Sequence, residues 1–268
     1  MIRAAVLGSP INHSLSPLLH RRAYEVLGVN GSYEAIDLSP ELAGDFLHTA
    51  LKENWTGFSL TMPLKEAIFN LGERINFKVD PIALRARSAN TLIAQEDGFR
   101  ATSTDMTAFI RLFSGVKRDR TAIIGGGGTA RAALAALDGA ASNVDILLRS
   151  PRRAELLSTV ALSTEVNFFG MEHSLRGYDL VVATVPSGVS DSMAAALNFT
   201  IPAFCEVLYD PFPSPLLAKA RSLGSQTIDG VDLLVEQALD QVELFTGRSF
   251  NFDEMRLTLQ EAVRTHLQ

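Results

Sequence analysis

The stretch Ala122-Ile123-Ile124-Gly125-Gly126-Gly127-Gly128-Thr129-Ala130-Arg131 decides the fold. A short apolar run precedes four glycines, and an alanine-rich segment follows them. This order is typical of a dinucleotide-binding unit, in which a strand and a tight turn lead into a helix. Glycines let the backbone approach a pyrophosphate, and the helix start favours its charge. A second strand over 143–148 begins at the distance that a βαβ unit requires, so we expect a nucleotide rather than a plain turn.

The end of that second strand indicates which nucleotide binds. An NAD enzyme usually places Asp or Glu there to hold the ribose hydroxyls. Here the strand is followed by Arg149-Ser150-Pro151-Arg152-Arg153. Arginine forks pair well with phosphate oxygens, which predicts the 2′-phosphate of NADP, with a solvated basic turn as the alternative. Asp145 lies near the strand start, too early to reach the ribose.

Length and composition limit the class of protein. The 268 residues suffice for one large or two ordinary domains, and 47% are hydrophobic, enough for a sizeable core. A net charge of −6 argues against a nucleic-acid partner. The single cysteine, Cys205, excludes an internal disulfide, and the histidines show no metal-ligand spacing. No apolar run approaches the ~20 residues of a membrane helix, and residues 2–7 resemble a strand rather than a signal peptide, so we expect a cytoplasmic protein.

Strand and helix signals alternate along most of the chain, which predicts an α/β fold with mainly parallel sheets. Ser16 is predicted to cap a helix that Gly28 ends, and Glu96-Asp97-Gly98 is a hairpin signal. The polar link 114–120 is the natural boundary. We therefore expect a substrate-binding domain over 1–113, rejoined by helices of 236–268, and a Rossmann-type NADP-binding domain over 114–235, with a cleft between the two.

The first half of the chain holds a set of polar residues that each follow or end a predicted strand. Ligands of open α/β sheets bind at the carboxyl ends of strands. Taken singly, each residue has a structural explanation such as a cap or a turn, so the argument rests on their joint position. Together they suit a hydroxylated, anionic small molecule. The residues are Ser14, Ser16, Thr61, Lys65, Asn90 and Asp105.

Ordered motifs extend this pattern nearly from end to end of the chain. They are Gly8-Ser9-Pro10-Ile11-Asn12-His13-Ser14-Leu15-Ser16-Pro17, Thr61-Met62-Pro63-Leu64-Lys65, Ser88-Ala89-Asn90-Thr91-Leu92, Ser103-Thr104-Asp105, the glycine turn through Arg131, Arg149-Ser150, Tyr209-Asp210-Pro211, and Asp229-Gly230 with Leu234-Val235-Glu236-Gln237-Ala238. With these motifs in this order, the chain resembles the shikimate dehydrogenases.

The resemblance implies NADPH-dependent reduction of 3-dehydroshikimate to shikimate, a step of aromatic amino acid biosynthesis. It implies that Lys65 and Asp105 sit together at the reacting carbon. The residues it assigns to the substrate are Ser14, Ser16, Thr61, Asn90, Tyr209 and Gln237. Those it assigns to NADP are Gly125, Gly126, Gly127, Gly128, Thr129, Ala130, Arg131, Arg149, Ser150, Arg153, Thr184, Val185, Gly230 and Leu233.

The chemistry of the two catalytic candidates fits a carbonyl reduction. Hydride addition leaves a developing alkoxide, which needs a nearby proton or positive charge. We hypothesise that Lys65 is the general acid of reduction and the base in reverse, oriented by Asp105. Four positions depart from the family pattern: Ser59 and Ser103 stand where asparagine is common, Leu148 also replaces asparagine, and Asp232 replaces a glycine that approaches the nicotinamide.

Three other functions remain open. One is a relative that prefers quinate or accepts both substrates, sometimes with NAD, although Ser16 and the arginines at 149 and 153 favour shikimate and NADP. Another is a non-catalytic sensor of the same ligands, although Lys65 and Asp105 are both retained. The third is a methyltransferase using S-adenosylmethionine, for which Arg149 is a poor ribose partner. We expect a small-molecule substrate, no nucleic-acid or membrane partner, and either a monomer or a homodimer.

Overall fold

A computed structural model describes residues 1–71 and 75–267. The chain divides into two compact units, residues 1–104 with 235–268, and residues 105–234. The strands are β1 (Ile2–Gly8), β2 (Gly31–Asp37), β3 (Gly57–Leu60), β4 (Phe77–Val79), β5 (Thr91–Gln95), β6 (Gly98–Thr102), β7 (Arg120–Ile124), β8 (Asn143–Leu147), β9 (Glu165–Phe169), β10 (Leu180–Ala183), β11 (Ala203–Glu206) and β12 (Gln226–Ile228).

The helices follow the strands in the alternation that the sequence predicts. They are α1 (Ser16–Val26), α2 (Pro40–Ala50), α3 (Leu64–Ala67), α4 (Pro81–Ala86), α5 (Thr104–Leu112), α6 (Gly128–Leu137), α7 (Ala154–Ser158), α8 (Asp191–Ala196), α9 (Pro215–Ser222), α10 (Gly230–Thr246) and α11 (Phe252–His266), with short 3-10 helices at Ile68–Asn70 and Pro151–Arg153. Within the described residues, no helix is long and apolar enough to cross a membrane.

The sheet of the first unit is mixed, in the order β2-β1-β3-β5-β6-β4. Strand β5 runs antiparallel to both β3 and β6, whereas the other pairings are parallel. Gln95 pairs with Gly98, so Glu96 and Asp97 form the tight turn, which confirms the predicted hairpin. The core on this sheet is rich in aromatic side chains, among them Trp55, Phe58 and Phe99.

The sheet of the second unit is parallel throughout, in the order β12-β11-β10-β7-β8-β9. The chain winds outward from β7 to β9 and then returns to β10 on the other side of β7. This reversal creates a switch point between β7 and β10, where doubly wound folds bind their ligands. The predicted Rossmann-type sheet is confirmed.

The helix ends agree with the sequence in part. Gly28 adopts a φ of 59° after α1, as expected for a glycine that ends a helix. The prediction that Ser16 caps α1 is wrong: Ser16 is the first helical residue and Leu15 is the N-cap. The Ser14 hydroxyl accepts from the Ser16 amide at 3.4 Å. A serine two residues earlier therefore contacts the amide of the first helical residue.

Candidate functional site

One edge of the first sheet collects several of the predicted substrate residues. Strands β1 and β3 end there, and the antiparallel β5 begins there, so Asn90 reaches this edge although it precedes its strand. The Leu60 amide donates to the Asn90 carbonyl at 2.7 Å, and the Ala89 amide donates to the Lys65 carbonyl at 3.1 Å. The backbones at Thr61, Lys65 and Asn90 are thus held close together.

Gly8 allows the close approach of β1 to the segment that carries Thr61. A Cβ atom at position 8 would lie 2.3 Å from the Thr61 methyl and 2.8 Å from the Met62 carbonyl oxygen. Because the second of these is a backbone atom, a larger residue would displace the loop that begins at Thr61. The glycine of the first sequence motif therefore has a steric reason.

The side chains of Asn90 and Gln237 meet inside the first unit. The Asn90 Nδ2 lies 3.4 Å from the Gln237 Oε1, and both residues are buried. Asn90 Oδ1 accepts from the Thr104 amide at 2.7 Å, and Nδ2 donates to the Thr104 hydroxyl at 2.9 Å. The structure therefore joins two predicted substrate residues that are 147 positions apart in the chain.

Behind this pair lies a buried polar network that the sequence analysis did not predict. Gln241 on α10 accepts from the Ser59 hydroxyl at 2.7 Å and lies 3.2 Å from the His20 Nε2. The Tyr33 hydroxyl donates to Ser59 at 2.6 Å, and the Tyr33 ring stacks on His20. A polar residue one helical turn after Gln237, among Ala238, Leu239 and Val242, was the signal available in the sequence.

Burial dominates the ionisation of this network. It lowers the pKa of His20 to about 3, and the hydrogen bond with Gln241 opposes the shift only in part. It also raises the pKa of Tyr33, against hydrogen bonds with Ser59 and Ser16. His20 is therefore a neutral imidazole at physiological pH and acts as a hydrogen-bonding group.

The other predicted substrate and catalytic residues differ in burial and in the elements that carry them. Lys65 is a half-buried residue of α3, and Asp105 is buried in the first turn of α5. That helix begins at Thr104. Ser16 is buried, whereas Ser14 and Tyr209 are half-buried. Their roles stay predictions.

The glycine turn of the second unit is closely packed by its neighbours. Gly125 has a φ of 113°, and a Cβ there would lie 2.6 Å from the Thr184 hydroxyl. That hydroxyl donates to the Ile124 carbonyl at 2.9 Å. Arg153 Nη1 donates to the Gly126 carbonyl at 2.9 Å. Both Thr184 and Arg153, predicted at the cofactor site, therefore contact the backbone around the turn.

The start of α6 suits an anionic group. Its N-cap is Gly127, which has no side chain with which to cap the helix. Thr129 is half-buried, whereas Ala130 and Arg131 are buried, so the Arg131 guanidinium is enclosed within the protein. A helix N-terminus with a glycine N-cap presents backbone N–H groups to phosphate oxygens, which fits a dinucleotide.

The end of β8 distinguishes the two nicotinamide cofactors. Asp145 Oδ2 accepts from the Tyr178 hydroxyl at 2.6 Å and Oδ1 accepts from Asn167 at 3.2 Å. This carboxylate is therefore engaged within the sheet. Arg149 and Ser150 are exposed directly beyond β8. The charged side chains of residues 149–153 are all cationic, which fits the phosphate of NADP.

The first turn of α10 carries two of the predicted cofactor residues, Gly230 and Leu233. A Cβ at Gly230 would lie 2.2 Å from the Leu208 carbonyl oxygen, so only glycine fits there. Val185 and Leu233 are buried apolar residues. Asp229 Oδ1 accepts from the Asp232 amide at 3.1 Å, and Asp232 Oδ2 accepts from the Asp229 amide at 2.9 Å. The unusual Asp232 is thus half of a reciprocal capping box.

Two other departures from the family pattern have different surroundings. Ser59 contributes its hydroxyl to the Gln241 network. The Ser103 hydroxyl is buried and has no hydrogen-bond partner among residues 1–71 and 75–267. We find no structural reason for serine at position 103.

The fold and these sites define a class of two-unit α/β protein, in which one sheet edge holds buried amides and a parallel sheet carries a dinucleotide-type glycine turn. Residues 6–92 match the family model of the shikimate dehydrogenase substrate binding domain. The shikimate dehydrogenase (NADP(+)) of Exiguobacterium sibiricum is 31% identical over 247 residues, covering 91% of this chain and 92% of the relative. The chain belongs to the shikimate dehydrogenase family.

Solved structures agree with this assignment. The shikimate dehydrogenase of Mycobacterium tuberculosis superimposes with a TM-score of 0.87 at 31% identity, covering 97% of this chain and all of that one. A shikimate 5-dehydrogenase from Thermus thermophilus, in complex with NADP(H) and shikimate, gives 0.83 at 29% identity, covering 98% of this chain and 100% of that one.

Proposed function

We propose that the protein is an NADP-dependent shikimate dehydrogenase that reversibly reduces 3-dehydroshikimate to shikimate. The observation that carries the proposal is the end of β8. There Arg149 is exposed beyond a strand that pairs with β7, the strand that leads into the glycine turn, where a family named for shikimate and NADP needs a phosphate site. The engagement of Asp145 by Tyr178 and Asn167 supports NADP over NAD.

The two parts of the chain are proposed to divide the binding of the two ligands. The match of residues 6–92 to a substrate binding domain supports substrate binding by residues 1–113 with 236–268. The parallel sheet and its glycine turn support NADP binding by residues 114–235. Asp105 and Tyr209 are proposed to serve the same reaction from the second compact unit.

NADPH, when bound, supplies the hydride. The turn 125–131, with Arg149, Ser150 and Arg153, is proposed to hold its phosphates, and Thr184, Val185, Gly230 and Leu233 its ribose and nicotinamide ends. The substrate is proposed to be held by hydroxyl and amide groups, which suit a carboxylate and ring hydroxyls. These groups belong to Ser14, Ser16, Thr61, Asn90, Tyr209 and Gln237.

Lys65 is proposed to donate the proton that the substrate carbonyl oxygen takes up during reduction. In the reverse direction, neutral Lys65 accepts the hydroxyl proton of shikimate. Asp105 is proposed to orient the Lys65 ammonium and to accept a hydrogen bond from the neighbouring hydroxyl. Proton transfer by a positioned side chain typically accelerates such reactions by about 10²–10⁴-fold.

Absorbance at the reduced-nicotinamide band tests this proposal directly. With shikimate and NADP⁺ supplied, we expect the band to grow, and we expect much lower catalytic efficiency with NAD⁺ or with quinate. Equal efficiency with NAD⁺ would contradict the role of Arg149. Equal efficiency with quinate would favour the broader enzyme.

A binding titration separates the other classes of function. Binding of NADPH and shikimate without turnover would indicate a ligand sensor. Binding of S-adenosylmethionine in place of NADPH would indicate a methyltransferase. The place in aromatic amino acid biosynthesis, the cytoplasmic location and the choice between monomer and homodimer stay predictions.

A further inference from the structure

The Asn90 carboxamide has a defined orientation inside the first unit. An amide side chain can present either its oxygen or its nitrogen to a ligand, so its orientation decides what it recognises. The Thr104 backbone amide can only donate, and it lies 2.7 Å from Asn90 Oδ1. The opposite atom, Nδ2, is therefore the donor: it donates to the Thr104 hydroxyl at 2.9 Å and points to the Gln237 Oε1 at 3.4 Å.

The Gln241 carboxamide is oriented by the same reasoning. Its Nε2 lies 3.3 Å from the Asn90 backbone carbonyl, which can only accept. Its Oε1 therefore faces the Ser59 hydroxyl and the His20 ring. Because Oε1 only accepts, the proton of neutral His20 lies on Nε2. The His20 Nδ1 is buried without a hydrogen-bond partner in the described part of the chain.

Thr91 connects the two amides. Its hydroxyl oxygen accepts from Gln241 Nε2 at 2.9 Å, and its O–H group donates to Asn90 Oδ1 at 3.0 Å. A hydroxyl has a single proton, so it cannot donate in both directions. The chain of hydrogen bonds therefore runs one way, from His20 and Ser59 through Gln241 and Thr91 to Asn90.

We propose that Gln241 is a positioning residue that, through Thr91 and together with the Thr104 amide, holds the Asn90 amide with its N–H group toward Gln237 and an oxygen-bearing ligand. The inference rests on the proposed function, because it takes Asn90 and Gln237 to contact the substrate. Gln241 is fully buried and bonds side chains or backbone on β3, β5 and the segment before β5. Such a network holds a single orientation before the ligand arrives, which lowers the cost of binding.

Steady-state kinetics with shikimate and NADP⁺ test this inference. Gln241→Leu removes the amide, and Thr91→Val removes only the connecting hydroxyl at nearly constant shape. We expect each variant to raise the KM for shikimate about tenfold, as loss of a buried polar contact does. The KM for NADP⁺ is expected to stay within about twofold, because the second unit is untouched.

The decisive readout is a double variant. If Gln241 acts through Asn90, then adding Gln241→Leu to Asn90→Ala raises the KM for shikimate by less than about twofold more. A residue that only supports the fold would raise it by the same factor in both backgrounds. Val242→Ala is the matched control, since it truncates the adjacent buried residue of α10 without touching the polar chain, and it should leave the KM unchanged. Thr91→Ser keeps the hydroxyl and should restore wild-type behaviour.

The outcomes separate this inference from the function on which it rests. An unchanged KM in both Gln241→Leu and Thr91→Val, with a raised KM in Asn90→Ala, overturns the role of Gln241 and leaves the proposed function standing. An unchanged KM in Asn90→Ala overturns the substrate role of Asn90 and this inference with it. If Gln241→Leu fails to fold, Thr91→Val alone decides.

Discussion

The two sheets build their candidate sites in opposite ways. In the first unit, the candidate site is made of side chains: the Asn90 amide meets Gln237 and belongs to a buried network with Thr91 and Gln241. In the second unit, the glycine turn and the start of α10 depend on backbone, because a Cβ at Gly125 or Gly230 would collide with its neighbours. A ligand with several kinds of polar group needs donors and acceptors in fixed orientations, whereas a pyrophosphate needs close approach to backbone amides.

The difference predicts how each unit responds to substitution. Side-chain changes in the first unit should affect substrate recognition or chemistry and spare the cofactor. Changes around β8 should affect the cofactor and spare the substrate. A variant in one unit that changes the binding of the other unit's ligand would contradict this division.

The largest effect is expected from Lys65→Met. If Lys65 supplies the proton of reduction, its loss should lower kcat on the order of 10²–10⁴-fold with little change in the KM for shikimate. Turnover under saturating NADP⁺ and shikimate is the measurement. Lys52→Met, the same change at an exposed lysine of the same unit, should leave kcat unchanged. Survival of turnover within a few-fold in Lys65→Met would remove Lys65 from the chemistry.

The next effect is expected in the second unit. Arg149→Ala removes an exposed guanidinium beyond β8. Loss of a charge-assisted hydrogen bond to phosphate should raise the KM for NADP⁺ roughly 10- to 100-fold. NAD⁺ is the internal control, because it lacks the 2′-phosphate and its KM should not move. A parallel rise for both cofactors would show that Arg149 supports the turn rather than reading the phosphate.

The second sheet was the more predictable of the two. Its glycine turn, its second strand and the arginines beyond it lie within thirty residues, and each has a local sequence signal. Strand β9 was missed, since it lies at the sheet edge and is mostly half-buried, so its hydrophobic pattern is weak. In the first sheet, β4 was missed because it has only three residues.

The first site could be predicted only as a set of residues. Its polar members follow from motifs, but their orientation depends on pairs far apart in the chain, such as Gln241 with Thr91. Ser59 could be placed at a strand end, yet its partner on α10 is set by tertiary packing. Periodicity indicates which face of a helix is buried, and it does not indicate which polar group the face meets.

A pH titration of stability sharpens the comparison further. His20 has a folded-state pKa of about 3, against an ordinary value of 6.5. Below pH 6.5, His20 binds a proton in the unfolded chain but not in the folded chain. The contribution of neutral His20 to the free energy of unfolding is therefore complete above that pH and is lost as the pH falls toward 3. At pH 5 the loss should reach about 2 kcal/mol.

Urea unfolding at pH 7 and pH 5 measures this loss. The variant His20→Gln, which keeps a donor for Gln241, should lose about 2 kcal/mol less than the wild type between the two pH values. His48→Gln, at an exposed histidine of the same unit, should lose as much as the wild type. Equal losses in all three proteins would mean that His20 titrates normally.

The smallest effect is expected at Asp232, whose surroundings distinguish a structural role from a cofactor role. Its carboxylate accepts from the Asp229 amide at the start of α10. Asp232→Ala should therefore lower the free energy of unfolding by about 1 kcal/mol, the value of one capping hydrogen bond. Asp232→Glu keeps a carboxylate at the position that capping boxes favour and should cost only a few tenths of that. If Asp232→Ala instead changes the KM for NADP⁺ while stability holds, the carboxylate serves the nucleotide, and the first turn of α10 does not contribute through its backbone alone.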